Sequence, residues 1–144
     1  YMVKYKHIME TLDLVIVAAE WGEGKRAKWL SSYEIACINE NGDFVEVGRA
    51  STGLKEKEEE GLSFMEMTKM LKPLIISEKG KEVKVKPKIV IEVGYEEIQK
   101  SPSYTSGFAL RFPRIISLRN ADKGPEEASS LDYVKKLYDG QKKS

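Results

Sequence analysis

One run of residues constrains this chain more than any other. Leu12-Asp-Leu-Val-Ile-Val-Ala-Ala19, inside the β-type stretch Thr11 to Trp21, is apolar on both faces near its middle. A strand of that kind has to be covered on both sides, as central strands are. The next segments supply neighbours for it. Gly22-Glu-Gly-Lys-Arg26 is a flexible basic turn. Lys28 to Ile38 resumes a strand, with Tyr33, Ile35 and Cys37 on one face. Asn39-Glu-Asn-Gly-Asp43 predicts a hairpin, because Asn-Gly tolerates the positive φ such turns need, and Phe44 to Arg49 is the return strand.

After the charged, solvated stretch Lys55 to Glu60, Ser63 and Glu66 have the spacing of a capping box. Phe64, Met67, Leu71 and Leu74 then share one helical face, with Pro73 disturbing the last turns. Lys81 to Lys86 alternates as a half-exposed strand, Ile89 to Val93 is a buried one, and Phe108 to Leu118 is the final one. Pro125 suits the first position of a closing helix with a Leu131, Val134, Tyr138 stripe. This order predicts a mostly β chain: a five-stranded Greek-key barrel of the OB type, with a helix between strands 3 and 4 and a C-terminal helix. A split β-sandwich with an inserted helix is the structural rival.

Composition narrows the function classes. The 144 residues suffice for one domain with a core, and with 41% hydrophobic and 33% charged residues the chain fits a globular protein with a heavily charged surface. Net charge is +1, so any hold on a polyanion must come from charges sorted onto one face. A single cysteine, Cys37, excludes an internal disulfide and sits in an apolar strand pattern, which predicts a buried thiol and an intracellular setting. No segment has the length of a membrane span. The chain begins at Tyr1 in the middle of a strand-like pattern, as a piece of something larger would.

Chemistry concentrates at one place. The strand Phe108-Ala-Leu-Arg-Phe-Pro-Arg-Ile-Ile-Ser-Leu-Arg119 carries Arg111, Arg114 and Arg119, then delivers Asp122-Lys123 at the lip of the next helix. Arginine forks suit phosphate oxygens, lysine adds a compact charge, and helix starts already favour anions. A phosphate or polyanion site is the reading, with a surface salt-bridge network as the plainer alternative. Lys4 and Lys6 would share one strand face, about 7 Å apart. Their spacing alone favours a solvated edge. Lys25, Arg26 and Lys28, like Lys81 to Lys88, are basic segments able to touch a nucleic-acid backbone. Trp21, Trp29 and Tyr95 are more often core than stacking platforms. Glu92 is expected to face solvent, with Glu96 and Glu97 on a turn. His7 lacks partners at metal-ligand spacing, and neither a Gly-rich phosphate loop nor a Ser/His/Asp set occurs.

Three segments, in order, resemble ATP-dependent DNA ligases of the archaeal and eukaryotic replicative type. Val3-Lys-Tyr-Lys6, running into Glu10 to Ile16, is similar to the family's fifth motif. Glu92 to Glu97 and Tyr104 to Arg114 resemble the middle of its OB domain, and Arg119 to Lys123 resembles its sixth motif. The usual Arg-x-Asp-Lys spacing is one residue longer here, because Asn120 and Ala121 separate Arg119 from Asp122. The resemblance implies that residues 1–10 end an adenylation domain and that 11–144 are the OB domain. It implies ATP with Mg2+ as cofactors, and a domain that closes on ATP to promote enzyme adenylation and then binds nicked duplex DNA. Lys4 and Lys6 would contact the nucleotide's α-phosphate, while Lys123 with Arg119 and Asp122 would orient the departing pyrophosphate. Arg111, Arg114, Lys25, Arg26 and Lys28 would meet DNA. Expected partners are nicked double-stranded DNA, the upstream adenylation and DNA-binding domains, and a sliding clamp, with no membrane. The setting would be cytoplasmic, or nuclear in a eukaryote. The family's nucleophilic Lys-x-Asp-Gly is absent, so the chain alone is not expected to be catalytically competent. Rival readings are a stand-alone OB module for single-stranded nucleic acid, which predicts exposed aromatics on the barrel, and the OB domain of an mRNA capping enzyme.

Overall fold

A computed structural model describes residues 11–22, 29–50, 64–118, 124 and 127–142. Its elements are β1 (Leu12–Trp21), β2 (Leu30–Ile38), β3 (Phe44–Ala50), α1 (Phe64–Leu71), β4 (Ile75–Lys79), β5 (Glu82–Val85), β6 (Val90–Gly94), β7 (Glu97–Lys100), β8 (Phe108–Arg111), β9 (Arg114–Leu118) and α2 (Leu131–Lys142). This is an OB-fold, its barrel assembled from more and shorter strands than the five-strand outline.

The doubly apolar run behaves as its pattern demands. β1 pairs β2 along one edge. Along the other edge, Leu12 to Val15 pair β6 while Ala18 to Glu20 pair β5. Shifts of register at Ile16/Ala18 and Glu20/Trp21 bend the strand so that one element serves both halves of the barrel. β2 returns through β3 across the expected Asn-Gly turn. There Gly42 takes φ +88° and the Asn39 side-chain oxygen accepts from the Asn41 and Asp43 amides at 2.9 Å each. β3 approaches β8 without a ladder, Gly48 lying against the Leu110 backbone.

Alternate residues of these strands fill the barrel. Leu12, Leu14, Ile16, Leu30, Tyr33, Ile35, Ile91 and Ile115 are fully or almost fully buried, and so is Cys37. Burial pushes the Cys37 thiol up to about 12, so it stays protonated at neutral pH. α1 plugs the barrel through Met67 and Leu71, the face expected of it. Leu74 follows in a 3-10 turn at Lys72–Leu74, where Pro73 ends the α-helix. Ser63 and the side chain of Phe64 lie outside the described residues, as does the run Lys55 to Glu60.

Two expectations need correction. The final strand is not continuous from Phe108 to Leu118. It breaks at Phe112-Pro113 into β8, paired with β7, and β9, paired with β6. Proline offers no amide to a ladder, and Phe112 turns the backbone with φ +53°. The closing helix begins at Leu131 rather than near Pro125, because the Ser130 hydroxyl accepts from the Tyr133 amide at 3.0 Å and caps it. Pro125 itself lies outside the described residues.

Candidate nucleic-acid interface

The break in the last strand creates the most distinctive surface feature. β7 and β8 form a separate two-stranded ribbon in which Glu97 faces Arg111 directly, and Gln99 faces Ala109. The Glu96 amide donates to the Arg111 carbonyl at 2.9 Å, which fixes the backbone where the ribbon ends. The next residue, Phe112, has a positive φ of 53° and is 61% exposed. A bulky residue rarely holds that conformation, and one preceding proline is further restricted. The chain therefore holds an aromatic ring out in water on a strained corner.

Side chains order around it. The Arg111 guanidinium lies over the Phe112 ring, 5.1 Å from its centroid. It also makes an ion pair of 3.9 Å with Glu97, both side chains about half exposed. The Gln99 amide nitrogen donates to that same Glu97 oxygen at 2.9 Å. Arg114, on the far side of the corner, lies opposite Gly94 in the β6–β9 ladder and is exposed. Two arginines and one phenylalanine thus project from Arg111 to Arg114.

The other expected residues divide cleanly. Lys4, Lys6, Lys25, Arg26, Lys28, Arg119, Asp122 and Lys123 lie outside the described residues. Gly22 and Trp29, on either side of the basic turn, are joined by a 3.0 Å backbone hydrogen bond. Trp21 and Trp29 are half-buried against the core and Tyr95 is buried, so all three are packing residues. The Trp21 indole N–H donates to Glu78 at 3.2 Å. Glu92 is half-buried and accepts from Thr11 and Ser117, at 2.9 Å each, rather than facing water. Glu97 opens a strand instead of decorating a turn, a position that the short β7 hid from sequence reasoning.

Elsewhere the charges are mixed, and Lys81, Lys84, Lys86 and Lys88 of the second basic segment are exposed on and around β5. Across β3, β2, β1 and β5, Arg49 lies 3.8 to 4.0 Å from Glu20, Glu34 and Glu82. Burial pushes the Glu34 carboxyl above its ordinary range, with Arg49 pulling the opposite way. Three carboxylates gather around this one guanidinium, with Lys84 also near Glu34. A cleft of about 280 Å³ between the Asn39–Asn41 turn and the start of α2 is lined by charges of both signs, Glu40, Asp132 and Lys135 among them. Among the described residues no cluster of three or more His, Cys, Asp or Glu could hold a metal ion. None of the described helices is long and apolar enough to cross a membrane.

Comparison with known proteins settles the lineage. Residues 26–123 match the family model of the ATP dependent DNA ligase C terminal region. The chain belongs to this family. A DNA ligase from Nanoarchaeum equitans is 56% identical over 145 residues, covering 99% of this chain and 25% of that protein. One from Archaeoglobus fulgidus is 53% identical over 137 residues, covering 94% and 24%. The chain therefore spans about a quarter of the length of these ligases. Among solved structures, the ligase domain of M. tuberculosis LigD superposes with a TM-score of 0.64 at 29% identity, covering 83% of this chain and 38% of that one. A mycobacterial DNA ligase D complexed with ATP and MES gives 0.60 at 27% identity, covering 84% and 38%. The OB-fold inferred from element order and the ligase resemblance inferred from three motifs are both borne out.

Proposed function

We propose that this chain is the closing module of an ATP-dependent DNA ligase: it first shuts over ATP to promote adenylation of the enzyme, then turns to hold nicked duplex DNA. In this reading residues 1–10 finish the adenylation domain and residues 11–144 are the OB domain. The observation that carries the DNA part is the Arg111-Phe112-Pro113-Arg114 corner, which holds two exposed arginines on either side of an exposed phenylalanine. Phosphodiester backbones are gripped by such guanidinium groups, and Lys25, Arg26 and Lys28 add to the same task by sequence.

For the nucleotide step, Lys4 and Lys6 hold the α-phosphate, and Lys123, aided by Arg119 and Asp122, aligns the departing pyrophosphate. Phosphoryl transfer needs chiefly alignment and charge neutralisation, which these residue types supply. Mg2+ bound together with ATP would supply neutralisation of the phosphate charge. The ATP bound in a mycobacterial relative supports the choice of nucleotide. Partners are the upstream adenylation and DNA-binding domains, nicked duplex and a sliding clamp. The single-strand module is the rival: Phe112 gives it one exposed ring, but Trp21, Trp29 and Tyr95 pack into the core and add no stacking surface.

The test separates the two steps. In the full-length ligase, Lys123→Ala or Asp122→Ala should slow self-adenylation far more than sealing by enzyme that is already adenylated. Equal loss in both assays would remove the pyrophosphate role.

A further inference from the structure

Arg111 and Arg114 flank the same corner yet differ in company. Arg111 is opposed across the β7–β8 ribbon by Glu97, whose carboxylate lies 3.9 Å away. No ion pair joins Arg114 to another described residue. Glu97 is itself positioned: its register sets it on the Arg111 side of the ribbon, and Gln99 donates to the oxygen that faces Arg111. Phe112 bounds the guanidinium on another side. Arg111 is thus pre-set, and one of the contacts setting it is an acceptor of the same kind as a phosphate oxygen.

We propose that Glu97 is a built-in stand-in for a nucleic-acid phosphate: it occupies Arg111 in the DNA-free chain, yields it to a phosphodiester on binding, and thereby weakens the grip on duplex. The inference rests on reading Arg111 as a DNA contact. Carboxylate and phosphate both offer oxygens to a planar guanidinium, and at 3.9 Å the Glu97 contact is loose enough for a phosphate to replace. The magnitudes favour exchange. An exposed ion pair of this length holds by a factor of about five at most. A phosphate that takes its place releases a condensed counterion, a gain the carboxylate does not offer. Glu97 remains beside the site after exchange and repels the incoming phosphate, which makes it a restraint on affinity and keeps the contact reversible.

The experiment uses the full 144-residue chain, its Glu97→Gln, Glu97→Asp and Arg111→Ala variants and the Glu97→Gln/Arg111→Ala double variant. Binding to a nicked, 5′-phosphorylated duplex is followed by fluorescence anisotropy from about 0.05 to 0.2 M salt. Glu97→Gln should bind roughly twofold to fivefold more tightly at the low-salt end. Its log–log salt slope should steepen by less than the roughly 0.9 of a whole phosphate, because the parent neutralises the same phosphate with the Glu97 charge still beside it. Glu97→Asp should stay near the parent, and melting temperatures should not move with any of the three exposed substitutions. On the Arg111→Ala background, Glu97→Gln should change nothing. An equal gain with and without Arg111 would reduce the effect to general charge and overturn the proposal. So would Glu97→Gln binding no better than the parent while Arg111→Ala binds worse. Arg111→Ala binding as well as the parent would instead fail the underlying reading of Arg111, and the proposal with it.

Discussion

Thr68 of α1 holds the start of β2 in place: its hydroxyl oxygen accepts a hydrogen bond from the Leu30 amide at 2.9 Å, in the buried interior. The Leu30 carbonyl in turn accepts from the Tyr33 hydroxyl. A helix inserted between β3 and β4 is thereby tied to the barrel by a polar contact as well as by Met67 and Leu71.

Thr68→Val keeps the shape and leaves the Leu30 amide buried without this acceptor. The loss should be about 1–3 kcal/mol, read as a lower denaturant midpoint with an unchanged slope. Thr68→Ser should recover most of it. If the valine variant is as stable as the parent, the hydrogen bond does not anchor the helix.

Phe112 makes the opposite case, a residue held against its conformational preference. Its φ of +53° carries strain of order 1–3 kcal/mol, and the residue is 61% exposed, so little burial offsets that strain. Phe112→Gly should leave stability unchanged or raise it by up to about 1 kcal/mol, while Phe112→Val should lower it. A glycine variant that melts well below the parent would mean that the ring is holding the corner together.

Glu34 supplies a pH signature. Burial raises its carboxyl pKa in the folded chain, so folding disfavours the charged form. The penalty is present above the folded pKa, shrinks as pH falls through it, and vanishes below the unfolded value. Glu34→Gln should therefore raise the melting temperature at neutral pH, with the advantage disappearing below about pH 4. Arg49 keeps Glu20 and Glu82 in that variant. A lower melting temperature at neutral pH would show that the Arg49 pair outweighs desolvation.

Much of the barrel was legible because its determinants are local. The run Leu12 to Ala19 announces a strand that needs cover on both faces, Asn41-Gly42 marks the hairpin, and Cys37 lies where an alternating strand must bury it. The edge strand β4 was hidden, because Ile75-Ile76-Ser-Glu-Lys79 shows no alternation and directly follows a helix. β7 was hidden because Ile98 is its only buried residue. In the last strand the proline was visible, whereas the positive φ at Phe112 depends on which partners β8 and β9 take. The candidate site divides the same way. Arg111 and Arg114 stand out as cations on an apolar strand, but the Glu97–Arg111 opposition is a matter of register between strands, which no spacing along the chain encodes.

The most direct test of the central claim is reconstitution of sealing. The Nanoarchaeum equitans ligase, 56% identical over the shared region, would be truncated to its part upstream of that region and mixed with this chain. ATP, Mg2+ and a nicked 5′-phosphorylated duplex would be added, and sealed product measured. The account predicts that the parent chain restores sealing and that the chain carrying Lys123→Ala does not. A folded parent chain that binds the truncated ligase and the nicked duplex yet restores no sealing would contradict it.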